Sequence, residues 1–209
     1  MLAMGVDPGQ NATHYSVVAI CEGGKVVVVD WGTLMNLESV GDNIGVCSLF
    51  DSLVYKDNAG NEYRPDICLV DSGWATQAVY NECLRASFPG TVMPTKGSTA
   101  TFSGTWARTK IRTMPDAPFD LLQYNQFQCK KGLYLDLIKG GKLVLPAEAD
   151  DAYIQGFVGQ ELIRTPSNKL QWREVAADHY GDTVMLSGVL LSYILESENN
   201  PLVQASFTT

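Results

Sequence analysis

Histidine, long apolar runs and paired cysteines are scarce in this chain of 209 residues. Its two histidines, His14 and His179, have no cysteine partner at zinc-ligand spacing, so no zinc site is indicated. No apolar stretch approaches the roughly 20 residues of a membrane-spanning helix, and the first residues lack the basic-then-apolar form of a signal peptide. The five cysteines are odd in number and scattered, which favours reduced thiols in a cytoplasmic setting.

Two common functional motifs are missing as well. A phosphate-binding P-loop places a lysine after its last glycine, whereas Lys96 precedes Gly97 and the upstream glycine is absent. The chain also lacks the GxSxG turn that carries a nucleophilic serine. With 45% hydrophobic and 18% charged residues, the composition is that of one folded domain.

The charge is negative overall, at −8, but it is unevenly distributed. Residues 85–142 carry nine basic and three acidic side chains, and the rest of the chain carries six basic and twenty acidic ones. This segregation permits a cationic surface for a polyanion and leaves acids elsewhere to hold metal ions. An unevenly charged, merely solvated surface is the alternative.

The order of predicted elements indicates an α/β fold. Strands are predicted over residues 2–7, 14–21, 25–31, 66–71 and 91–94, with Gly23-Gly24 as a hairpin turn, and helices over 38–55 and 76–87. Such an order suits a mixed sheet of five or more strands with helices on its faces. Residues 97–130 are predicted to be an irregular, basic excursion from the sheet. Beyond them we expect a helix over 133–139, a strand over 142–146, and helices over 150–163 and 178–196, all in one domain spanning 1–209.

Three acidic residues stand out by their placement. Asp7 ends the first strand and Asp71 ends the buried later strand, so the two meet at one sheet edge if these strands are neighbours. Asp182 shares a helical face with apolar residues and is expected to point at the sheet. Crowded carboxylates suit Mg²⁺ or Mn²⁺, and two such ions can support phosphodiester cleavage. The alternatives are that Asp7 forms a turn, that Asp178 caps the helix, and that His14 lies on the strand surface.

Several of these residues resemble a known family. Gly5-Val6-Asp7, Val29-Asp30-Trp31-Gly32 and Val70-Asp71-Ser72-Gly73-Trp74 are similar to the nuclease domain of phage terminase large subunits, of the lambda-like group. Val79-Tyr80, Lys96-Gly97, Ile138-Lys139 and Asp182-Thr183-Val184-Met185 continue the match in order. The resemblance implies an RNase H-like fold and metal-dependent cutting of concatemeric viral DNA during genome packaging in the cytoplasm of the infected bacterium.

The resemblance also implies roles for residues and partners. Asp7, Asp71 and Asp182 become the metal-binding catalytic acids with two Mg²⁺ or Mn²⁺ ions, and Asp178 becomes an auxiliary ligand, with His179 as a further contact to ligand or phosphate. The implied partners are double-stranded DNA, the ATPase motor, the small subunit and the portal, with no membrane. The motor is absent from this chain, so we expect an excised carboxyl-terminal domain.

Basic residues are expected to hold the DNA backbone. Lys96 follows a strand that we place beside the one ending at Asp71, and Arg108, Lys110 and Arg112 alternate, so in an extended segment they share one side. Lys130 and Lys131 complete the predicted DNA-binding set.

Other functions remain open from the sequence. A RuvC-type Holliday-junction resolvase has a similar first strand, but it usually has Glu where Asp71 stands. An actin-like ATPase or sugar kinase needs a second glycine-rich hairpin, which is not found. A catalytically silent docking module of the packaging motor is the third alternative, and divalent-metal binding separates it from the nucleases.

Overall fold

The computed structural model describes residues 1–35, 45–98 and 104–198. The strands are β1 (Leu2–Pro8), β2 (Ala12–Ile20), β3 (Val26–Met35), β4 (Tyr55–Lys56), β5 (Glu62–Tyr63), β6 (Ile67–Asp71), β7 (Val92–Ser98), β8 (Trp106–Thr109), β9 (Leu121–Asn125), β10 (Leu143–Val144), β11 (Gln160–Arg164) and β12 (Leu170–Glu174). The helices are α1 (Val46–Ser52), α2 (Thr76–Leu84), α3 (Gln126–Lys131), α4 (Asp151–Gln155), α5 (His179–Val184) and α6 (Leu191–Glu198). A π-helical stretch, Gly132–Ile138, continues α3, and another, Met185–Leu190, joins α5 to α6.

The main sheet has eight strands in the order β10-β3-β2-β1-β6-β7-β9-β8. β1, β6, β7 and β9 run parallel to one another, while β2 and β8 run antiparallel to their neighbours. The carboxyl ends of the four parallel strands therefore meet at one edge of the sheet. Two small hairpins, β4–β5 and β11–β12, lie outside the sheet.

Alternate strand residues supply two separate hydrophobic cores, as the period of two in a β-strand requires. Ala3, Val18 and Leu69 face the core formed with α3, α4, α5 and α6. Met4, Val17 and Val70 face the opposite core, formed with α1 and α2. The sheet is thus covered by helices on both sides.

The structure confirms the predicted α/β class and most predicted elements. The hairpin turn at Gly23-Gly24 and the long final helix are both present. The helix predicted over 38–55 is shorter, running over Val46–Ser52, and residues 38–44 lie outside the described residues.

Two predicted elements are wrong. Within the excursion predicted over 97–130, β8 and β9 pair with each other and extend the sheet beyond β7, while residues 99–103 lie outside the described residues. The polar, basic residues of an edge strand conceal its pairing in the sequence. The helix predicted over 150–163 ends at Gln155, and β11 follows from Gln160. At Gly159 a side chain would collide with the backbone of Ala176, so the chain turns closely here instead of continuing the helix.

No helix within the described residues is both long enough and apolar enough to span a membrane.

Candidate active site

Two carboxylates emerge side by side where β1 and β6 end. The strands are parallel neighbours with Val6 opposite Val70, so Asp7 and Asp71 follow at the same level, as the sequence predicted. Both side chains continue the face that carries Ala3 and Leu69, which is the face covered by α5. The Gly73 N–H donates to Asp71 Oδ1 at 3.1 Å and holds this carboxylate at the turn after β6.

Close backbone packing places α5 over these strand ends. A side chain at Gly5 would overlap the carbonyl oxygen of Thr183, so only glycine lets β1 approach the helix this closely. The Thr183 hydroxyl also lies 2.6 Å from Ser16 Oγ of β2 in a buried hydrogen bond. Because Asp182 precedes Thr183, this packing brings the Asp182 carboxylate to the edge of the sheet where Asp7 and Asp71 lie, which we call the acid edge.

A buried lysine joins the acids from α3. Lys130 Nζ lies 2.9 Å from Asp178 Oδ2 and 3.6 Å from Asp182 Oδ1. The side chains of Lys130 and Asp178 are only 6% and 9% exposed, so this ion pair is shielded from water. One ammonium therefore compensates two of the carboxylates.

The crowding of these groups is visible in their electrostatics. Burial, followed by the negative charge of Asp7, raises the pKa of Asp71 to about 6. Burial likewise raises the pKa of Asp182, which the charges of Asp178, Asp7 and Asp71 raise further, while Lys130 opposes the shift. The four carboxylates thus act on one another, and the site holds more negative charge than it can easily keep.

Two stacked histidines flank Asp7. His179 Nδ1 lies 2.7 Å from Asp7 Oδ2, and this hydrogen bond is the main cause that raises the pKa of His179. The ring of His14 stacks on that of His179 with centroids 4.5 Å apart and planes 6° apart. Burial and the charge of His179 lower the pKa of His14. His14, predicted to be a strand-surface residue, therefore lies against the site, because β2 pairs it directly with Asp7.

The residue types at this edge fit a hard divalent cation. Carboxylate oxygens are the ligands that Mg²⁺ and Mn²⁺ prefer, and a cation would relieve the repulsion that raises the pKa of Asp71. In the part of the chain that the structure describes, no three Asp, Glu, His or Cys side chains already stand as a metal-binding group. Asp7 is held by His179, and Lys130 lies against Asp178 and Asp182. A metal would therefore have to take carboxylate oxygens from His179 and Lys130.

The basic residues predicted to bind DNA occupy different distances from the acids. Lys96 is exposed one residue beyond Thr95, which pairs with Asp71, and its charge acts on Asp71 by lowering that pKa. Lys130, by contrast, is buried among the acids instead of facing solvent, whereas Lys131 is exposed.

The other predicted DNA contacts lie at the far side of the sheet. Strand register pairs Asp71 with Thr95, Thr95 with Leu122, and Leu122 with Arg108. Arg108 is therefore three strands away from Asp71, or roughly 14 Å at the usual strand spacing. Lys110 forms an ion pair with Asp120 at 2.8 Å. Because β8 ends at Thr109, the extended geometry that would align Arg108 with Lys110 and Arg112 does not continue past the strand.

The mixed eight-stranded sheet, flanked by helices and with carboxylates meeting at one edge, defines an RNase H-like fold. A family model described as the endonuclease domain of the terminase large subunit gpA matches residues 1–193. The chain belongs to this family of terminase endonuclease domains, as the resemblance in its sequence implied.

Solved structures agree in fold. The magnesium-bound large terminase nuclease from the thermophilic phage G20c aligns with a TM-score of 0.53 and 14% identity, covering 90% of this chain and 80% of that chain. The nuclease domain of the large terminase subunit gp2 of bacterial virus Sf6 aligns with a TM-score of 0.50 and 16% identity, covering 88% and 86% of the respective chains. A comparison with curated protein sequences found no match.

Sequence reasoning misses two residues of the site. It assigns Lys130 to DNA contact, because nothing in the sequence shows that α3 packs under the final helix. His14 has a detectable signal, since a hairpin register through Gly9 places it opposite Asp7. The first strand and the turn after it therefore position His14 as well as the Asp7 of the Gly-Val-Asp motif.

Proposed function

We propose that this domain is a divalent-metal-dependent DNA endonuclease that cuts concatemeric viral DNA during genome packaging. The observation that carries the proposal is the meeting of Asp7, Asp71 and Asp182 at one sheet edge, in a chain of the terminase endonuclease family. Acids at this position are suited to hydrolysis of a phosphodiester, since they need only a hard cation to bind the substrate's phosphate.

Asp7, Asp71 and Asp182 are the proposed catalytic metal ligands, and Asp178 is the proposed auxiliary ligand. Two Mg²⁺ or Mn²⁺ ions bound there would activate the attacking water and stabilise the leaving oxygen. The contribution of the chain itself is positional. His179 orients Asp7, the turn at Gly73 orients Asp71, and Lys130 places an ammonium against Asp178 and Asp182, which opposes the rise in the pKa of Asp182. His179 is also half-exposed, so its ring can reach a phosphate beside Asp7.

The proposed DNA path starts at the exposed Lys96, which follows the Thr95 paired with Asp71 and whose charge acts on Asp71. Lys131 and the group Arg108, Lys110 and Arg112 are proposed to contact phosphates farther from the cut. Such contacts provide affinity without sequence preference. The proposed partners are double-stranded DNA, the ATPase motor, the small subunit and the portal, in the cytoplasm of the infected bacterium.

Plasmid digestion tests this function directly. We expect the purified chain to cut plasmid DNA with Mg²⁺ or Mn²⁺, and to leave it intact in EDTA. The Asp71→Asn variant is the matched control, because it keeps the shape of the side chain and removes its charge. Equal cutting by this variant would refute the assignment, and cutting that persists in EDTA would refute the metal dependence.

A further inference from the structure

A large aromatic side chain stands exposed beside the acid edge. Trp74 is 66% exposed, although it lies only three residues after Asp71. The backbone between them wraps the carboxylate closely, since a Cβ on Gly73 would lie 3.3 Å from Asp71 Oδ2. Consecutive Cα atoms are about 3.8 Å apart, so the Trp74 backbone lies within one residue of this contact.

The local fold does not explain the exposed indole. The turn after β6 is fixed by Ser72, which is buried and donates both its N–H and its hydroxyl to the Thr95 carbonyl, at 2.8 and 2.7 Å. The start of α2 is fixed by Thr76, whose hydroxyl donates to the Ser72 carbonyl at 2.6 Å. Within the described residues, Trp74 belongs to neither hydrophobic core. Exposing such a ring forgoes the stabilisation that its burial would bring.

The proposed substrate supplies the missing partner. When the scissile phosphate lies at Asp7 and Asp71, the adjacent nucleotides extend over the neighbouring surface. A strand places successive nucleotides only about 3.4 Å apart along the helix axis, so a flanking base falls within reach of an indole at Trp74. Lys96, on the strand next to Asp71, would hold a phosphate of the same region.

We infer that Trp74 is a DNA-binding residue that stacks on a nucleotide flanking the scissile phosphate. The inference rests on the proposed nuclease function and adds a base contact to a site otherwise described by carboxylates and lysines. Aromatic stacking tolerates every base, because every base has a π-face, and it suits an enzyme that holds DNA without reading its sequence. In a duplex this face becomes accessible when the base step beside the cut is partially unstacked, as it is by wedge side chains in other DNA-binding proteins.

The chain offers a matched control for this residue. Phe88 is 71% exposed but precedes β7, so it lies toward the opposite edge of the sheet from the acids. We would compare wild type with Trp74→Ala, Trp74→Phe and Phe88→Ala. A labelled 20-base-pair duplex in Ca²⁺ would report binding, and Mg²⁺-dependent cleavage would report KM and kcat.

We expect Trp74→Ala to weaken DNA binding at least about fivefold, the lower limit for removal of one stacked base. KM should rise by a similar factor while kcat stays near wild type, because the stacking contact is made equally in the ground state and the transition state. Trp74→Phe keeps a ring and should stay within about twofold of wild type, and Phe88→Ala should not differ from wild type. DNA should quench the tryptophan fluorescence of the wild type more strongly than that of Trp74→Phe, in which Trp106 still lies under Arg108 and can respond to DNA.

Fluorescence keeps the test independent of the stability of Trp74→Ala, because Trp74→Phe retains an aromatic residue before α2. Equal DNA quenching in wild type and Trp74→Phe would overturn the inference. An affinity of Trp74→Ala equal to that of Phe88→Ala would overturn it as well. In both cases the wild type still binds and cuts DNA, so the proposed function stands. A wild type that neither binds nor cuts DNA would instead overturn the proposed function.

Discussion

Replacing Lys130 with methionine tests the balance of charge in the site. Methionine keeps most of the volume and removes the ammonium that lies between Asp178 and Asp182. Removing one partner of a buried ion pair costs about 3–5 kcal/mol, because the remaining carboxylate stays buried without a counter-charge. In a domain of this size each kcal/mol shifts the melting temperature by about 2–4 °C, so we expect a decrease of roughly 6–20 °C.

The pH dependence of this destabilisation has a definite sign. In the wild type, Lys130 opposes the burial that raises the pKa of Asp182, so without Lys130 that pKa rises further above its unfolded value. A carboxyl with a raised folded pKa destabilises the fold fully above that pKa, and this destabilisation is lost progressively as the pH falls from the folded towards the unfolded pKa. The difference in stability between Lys130→Met and wild type should therefore narrow as the pH is lowered towards about 8, the pKa of Asp182 in the wild type, below which this carboxyl is protonated in both folded proteins.

Calorimetry at several pH values measures both effects. The double variant Lys130→Met/Asp178→Asn should recover much of the stability, because it removes the uncompensated charge. Mg²⁺ should stabilise Lys130→Met more than wild type, since the metal no longer competes with an ammonium. A ligand at 100 times its Kd contributes about 2.7 kcal/mol. An unchanged melting temperature in Lys130→Met, at every pH, would refute the ion-pair account.

Three further predictions concern catalysis and DNA. Replacing any one of the proposed catalytic acids, Asp7, Asp71 and Asp182, by asparagine should abolish plasmid cleavage without unfolding the domain. Near-normal cleavage by two of the three variants would refute the assignment. Mg²⁺ affinity, measured by calorimetric titration, should fall about tenfold per pH unit below about pH 8 and more steeply below about pH 6, since a metal must displace the proton first from Asp182 and then from Asp71 as well; a flat profile from pH 5 to 8 would contradict this. Replacing the outer basic residues Arg108, Lys110 and Arg112 by alanine should weaken DNA binding in Ca²⁺. The salt dependence of binding should become shallower by about 0.9 log units per log[salt] for each phosphate that is no longer neutralised. An unchanged slope would place the DNA elsewhere.

The strand ends are predictable from the sequence, whereas their surroundings are not. A continuous apolar strand that ends in Asp71, and a first strand that ends in Asp7, require only a local pattern and the rule that parallel strands share a carboxyl edge. Asp182 is predictable because the period of its helix places it on the face that packs on the sheet. The placement of these three acids can be predicted because strand and helix periodicity is visible in a single sequence.

Interactions between distant segments leave no such pattern. Lys130 is 48 residues from Asp178, and its position depends on how α3 packs under the final helix. The first strand of the β11–β12 hairpin resembles the end of a helix in sequence, because its apolar residues between Gln160 and Ile163 are too few to reveal a period of two. Edge strand β8 escapes prediction for a related reason, since its exposed Arg108 resembles a loop residue when its pairing is unknown.

Any side chain at Gly5 would overlap with Thr183, so the packing of β1 against α5 is fixed, whereas other parts of the sheet can vary. The spacing between β1 and α5 is set by main chain against main chain, so repacking of side chains cannot change the distance between the backbones that carry Asp7 and Asp182. Edge strand β8 and the β11–β12 hairpin border fewer elements. Insertions and exchanges there can reshape the route of the nucleic acid without disturbing the chemistry. The same proposed catalytic acids can therefore act in packaging motors that bind DNA along different surfaces.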